Sequence, residues 1–149
     1  MHRIRSTTLA LSALLFAGVS IADEAAATKE PIAAEAERPW RPPTLTSGLG
    51  VPAGETFHLG ERPSGDFIVS AYNRGKVPVT ILAKRGKRVE EVGVVKPTET
   101  VVRAFQSSDG VLVQNNSAST NAKLKVEVWG AKDLAMYYVP NDEEPKPAE

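Results

Sequence analysis

Four cations fall within five residues at Lys84-Arg85-Gly86-Lys87-Arg88, the sharpest concentration of chemically active side chains in a chain of 149 residues. Two are arginines, whose planar guanidinium groups grip carboxylate, phosphate or sulfate through paired N–H donors. At the tip of a hairpin such a cluster is a candidate contact for a partner or an anionic glycan. Its plainer role is a solvated turn whose charges keep sheet edges from pairing. A two-residue turn at Arg85-Gly86 pairs Leu82 with Val89 on one face and Val79 with Val92 on the other. It sets Lys84 opposite Lys87.

Imidazole and thiol chemistry are almost absent. The chain holds two histidines and no cysteine, which excludes disulfides, thiolate zinc sites, iron–sulfur clusters and cysteine nucleophiles. His58 alone lies in the body of the chain. Catalysis there requires Ser70 or Asp66 within reach, and no Gly-x-Ser-x-Gly elbow marks a nucleophile. Glu90 and Glu91 are adjacent in a strand and point to opposite faces, so they cannot flank one bond, and Glu61 with Asp66 is no better placed. Asp109-Gly110 lacks the ligand spacing of a calcium loop and reads as turn chemistry. Asn115-Asn116-Ser117 matches a glycosylation sequon inside a polar loop. No catalytic, metal or cofactor-binding residue is assigned.

Aromatic side chains offer the other candidate contacts. Trp129 falls at the polar parity of a strand in which Leu124, Val126 and Val128 alternate with Lys123, Lys125 and Glu127, so it faces outward unless a bulge or second layer covers it. Tyr137 and Tyr138 follow closely. Trp40 sits in Pro39-Trp40-Arg41-Pro42-Pro43, where prolines favour an extended, solvated backbone that projects the indole.

Around these residues the chain divides into four parts. Met1 to Ile4-Arg5 is a short cationic start, Leu9 to Val19 an apolar stretch, and Ser20-Ile21-Ala22 a small-x-small cleavage pattern, so residues 1–22 read as a cleaved export signal. The apolar run is shorter than the ~20 residues a membrane span needs. The expected product is periplasmic or secreted, with no transmembrane segment after cleavage. Residues 23–54 read as a flexible Ala/Glu/Pro-rich linker, residues 55–139 as the folded domain, and residues 140–149 as an acidic, Pro-rich disordered tail. Cleavage leaves 16 bases against 18 acids, with 12 bases and 9 acids in residues 55–139. That balance argues against nucleic acid as a partner.

Short β-branched and aromatic runs separated by turn residues at regular spacing predict an all-β domain. The expected fold is a small antiparallel β-sandwich of six to eight strands, with a small β-barrel as the alternative. The expected function is a non-catalytic binding or accessory module for another envelope or extracellular component, most readily a protein. A small enzyme using His58 and a self-assembling structural subunit are the alternatives, and fold class alone does not choose.

Overall fold

The computed structural model describes residues 30–60 and 63–143. The signal-like residues 1–22, Glu61 and most of the acidic tail lie outside them. Ten strands form two open antiparallel sheets, and no helix occurs among the described residues. The architecture is a β-sandwich, and neither sheet closes into a barrel.

The strands are β1 (Ala34–Glu35), β2 (Leu45–Val51), β3 (Glu55–Leu59), β4 (Phe67–Asn73), β5 (Val79–Arg85), β6 (Arg88–Val95), β7 (Thr100–Phe105), β8 (Gly110–Gln114), β9 (Ala122–Trp129) and β10 (Met136–Pro140). One sheet runs β1-β7-β4-β9-β2 and the other β10-β3-β8-β5-β6. The period-two alternation of apolar side chains turns Val69, Val126 and Val128 of the first sheet toward Val79, Ile81 and Val113 of the second, forming one continuous core. Each such buried aliphatic side chain contributes roughly 1.5–3 kcal/mol. A smaller apolar cluster of Leu82, Val89 and Leu112 has the opposite parity and lies on the far side of the second sheet.

Two buried asparagines fasten strand ends. Asn115 donates from Nδ2 to the carbonyls of Val51, Pro52 and Thr120, and its Oδ1 accepts from Ser117 N–H. Fully buried and bonded in this way, it is a structural plug beneath the polar loop. Asn73 acts similarly on the carbonyls of Val77 and Val95.

Three expectations change. Residues 30–54 do not form a linker outside the domain: they supply β1, β2 and the buried core side chains Ile32, Leu49 and Val51. At the other end, Asn141 bonds Thr56 Oγ1 and the Asn115 carbonyl, so packing continues past residue 139. The turn of the β5–β6 hairpin also moves by one residue, and its pairing by two. Gly86 has φ 61 and the pairing is Arg85 with Arg88, which makes Gly86-Lys87 the turn and sets Lys84 opposite Val89 rather than Lys87. A tight hairpin turn with left-handed backbone at its first central residue favours glycine at that position. An irregularity between Ile81 and Leu82 then brings Val79 opposite Val95 instead of Val92.

Candidate functional site

Consecutive strands β1 and β2 occupy opposite edges of the first sheet. Residues 36–44 must therefore cross the whole outer face of that sheet, and each intervening strand holds the crossing. Ala36 N–H donates to Val102 O of β7 at 3.3 Å. Arg38 Nη2 donates to Ser70 Oγ of β4 at 3.2 Å, and its Nη1 lies 3.5 Å from Glu127 Oε2 of β9. Trp129 Nε1 donates to Arg41 O at 2.8 Å, and Thr44 N–H to Val128 O at 2.7 Å. The segment is a strap fastened to three strands in turn.

Glu127 anchors the strap electrostatically. Its carboxylate accepts from Lys125 Nζ at 2.6 Å and faces Arg38 on the other side. The bond from Lys125 holds it below the ordinary carboxylate range, burial opposes that effect, and the Arg38 charge reinforces it. The anion therefore persists across neutral pH beneath the strap.

The strap decides the fate of both tryptophans. Trp129 does have outward parity, paired with Ile68 on the face away from the core, yet it is only 3% exposed because the strap covers it. As a free contact surface Trp129 is thereby corrected. Trp40, at the crest of the strap, is 98% exposed. Its neighbours Arg41 and Pro42 are exposed as well. Beside Arg41 a cleft of about 390 Å³ opens between the strap and Pro31–Ala34, floored by Ile68, Ala104 and Trp129, with Asp66 at its rim. Gly130 closes one wall with φ 103, where a β-carbon would stand 2.5 Å from Asp66 O, so only glycine fits without displacing that backbone.

The basic hairpin is used largely by the fold itself. Arg85 Nε and Nη2 bind the two oxygens of Asp109 at 2.6 and 3.1 Å, and Nη2 also reaches Gln106 Oε1 and Ile32 O. The bond to Asp109 raises the Arg85 pKa further above its already high usual value. Arg88 pairs with Glu90 at 2.5 Å and donates to Glu30 O. Of the four cations only Lys87 is exposed, while Lys84 is half-buried. As a four-cation anion grip the cluster is thus corrected: parity of the hairpin turns both arginines toward acidic and carbonyl partners.

His58 is buried and stacks on Tyr137 with ring centroids 4.4 Å apart. Among the described residues no group of three or more histidine, aspartate or glutamate side chains is placed to hold a metal. Tyr138 packs on Phe57 at 5.0 Å and donates its hydroxyl to Gly50 O, tying the edge of one sheet to the edge of the other. Tyr137 and Tyr138 therefore lie on an edge strand of the second sheet, whereas Trp40 lies on the strap over the first, and the aromatic candidates do not form one patch. Arg38, Glu127 and the cleft were not singled out by sequence; their signal is the crossing, which appears only once strand order is known. No family model matches the chain, nor does any curated protein or solved structure.

Proposed function

We propose that the protein is an exported, non-catalytic β-sandwich that recognises another envelope or extracellular component, a protein, through the strap that carries Trp40. The observation that carries this reading is an indole held 98% exposed on a segment bonded to three strands. A tryptophan left in water on a fastened backbone pays little ordering entropy when a partner covers it, and tryptophan is among the residue types that dominate protein interfaces. Prolines on both sides stiffen the presentation, and the neighbouring cleft can take an apolar side chain from the partner. Export rests on the pattern of residues 1–22.

Affinity capture from an extract of envelope and secreted proteins tests the proposal, with the released protein as bait and Trp40→Ala as control. The expected outcome is a protein retained at both low and high salt, with affinity lowered about 30-fold or more in the variant, the loss of an interfacial hot spot worth ~2 kcal/mol. Equal retention by the variant, or retention of no protein, refutes it.

A further inference from the structure

We infer that the outer edge of β2 receives an extended peptide strand, with acidic side chains on its solvent face. This rests on the recognition reading above and names how the partner engages, since β2 begins where the strap ends.

An open sheet edge presents unpaired N–H and C=O groups, and natural proteins normally blunt it with charge, proline, bulges or shortness. Three of the four edges here are blunted. β1 has two residues, β6 carries Arg88, Glu90 and Glu91 together with the pairing irregularity, and β10 ends on Pro140. β2 is seven residues, Leu45-Thr46-Ser47-Gly48-Leu49-Gly50-Val51, with neither charge nor proline. Its inner side pairs with β9 along its whole length.

The free groups can be located. Gly50 O accepts the Tyr138 hydroxyl from across the sandwich, so the backbone groups of residue 50 point away from β9. Strand alternation turns those of Thr46 and Gly48 the same way. Gly48 O receives only a 3.5 Å contact from Ser47 Oγ. Thr46 and Gly48 thus offer a short ladder, bounded at one end by Tyr138 and at the other by the strap.

Side-chain chemistry follows from what flanks that ladder. A β-carbon at Gly48 or Gly50 would meet no atom within 4 Å, so the solvent side of β2 is bare there. Directly behind these glycines stand Lys125 and Lys123 of β9, and Lys123 is exposed with no ion pair among the described residues. An added strand lies two spacings from β9, about 9.6 Å. A lysine and a glutamate can bridge that distance over a strand without side chains. The complementary face of the peptide meets Leu45, Ser47 and Leu49 and favours small or branched apolar residues.

The test uses fluorescein-labelled peptides Thr-Val-Glu-Val-Glu-Val-Glu-Thr and its lysine counterpart, titrated with the full chain by anisotropy. The glutamate peptide is expected to saturate and to bind at least tenfold more tightly than the lysine peptide. Gly48→Pro, which removes an outward donor without touching the pairs to β9, should weaken it tenfold or more. Lys123→Glu should reverse the preference between peptides, with unchanged circular dichroism in both variants. Absence of saturable binding, or binding indifferent to both substitutions, overturns the inference. Partner capture separates the two readings: loss in Trp40→Ala with retention in Gly48→Pro discards the edge and keeps the strap, whereas retention in Trp40→Ala alongside peptide binding discards the strap and keeps the edge.

Discussion

Replacing Arg85 with Met should destabilise the fold by about 3–5 kcal/mol, because it leaves a buried carboxylate without the cation that binds it. The Asp109 side chain has no exposed surface, whereas that of Arg85 is 32% exposed. Asp109 also accepts from Gln106 N–H at 2.9 Å, which closes the turn after β7. Asp109→Asn keeps that turn acceptor and strands only a partly solvated guanidinium, so its cost should be smaller, about 1–3 kcal/mol. In the double variant the two losses should fall short of their sum by 1 kcal/mol or more, the mark of a direct pair. Urea unfolding followed by tryptophan fluorescence measures all three. For a domain with a slope near 2 kcal/mol/M the Arg85→Met midpoint falls by roughly 2 M. Changes below 0.5 kcal/mol in both single variants would refute the assignment of Arg85 to the fold and return the hairpin to the pool of free anion-binding surfaces.

Glu127→Gln should cost about 1–2 kcal/mol at neutral pH through its weakened bonds to Lys125 and Arg38. Because the folded carboxylate titrates below its ordinary value of 4.5, its contribution is complete above that pH and is lost as pH falls through the lowered folded value; Glu127→Gln should flatten the acid limb of stability measured against pH. Trp129→Phe removes the Nε1 bond to Arg41 O and should cost about 1 kcal/mol, with faster amide hydrogen exchange at Thr44 as the strap loosens. Asn115→Ala deprives three carbonyls of a donor and should cost about 3 kcal/mol, and the folded chain made in a glycosylating host should carry no glycan at that residue by mass spectrometry.

The strands were legible wherever alternation was strong. Leu124, Val126 and Val128 against Lys123, Lys125 and Glu127 mark β9 from the sequence, and Thr100 to Phe105 marks β7 with matching ends. β2 was missed because Gly48 and Gly50 lower strand propensity and Thr46 and Ser47 look like loop residues. Its strand character comes from pairing with β9, which no local window contains. The hairpin error has a similar source: apolar matching alone tolerates a two-residue slip of the pairing, which keeps each side chain on its face, whereas the left-handed backbone at Gly86 fixes the turn. Outward parity for Trp129 was correct, but its burial depends on a segment 88 residues away in sequence.

That dependence also explains why the candidate site sits where it does. A chain that places successive strands on opposite sheet edges must spend a long connection on the face between them, and an open connection would expose Trp129 and leave Glu127 without Arg38. Fastening the strap by an ion pair and an indole hydrogen bond leaves its crest free of structural duty, so Trp40 can remain in water without loosening the strap. A solvent-facing tryptophan gives up the ~1.5–3 kcal/mol or more that burying a large apolar side chain would return. Truncating Trp40 should therefore leave thermal stability within about 0.5 kcal/mol of the parent, as for other surface substitutions, while removing partner capture. A fall in stability comparable with that of Trp129→Phe would place Trp40 in the packing of the strap and remove the ground for treating it as a contact residue.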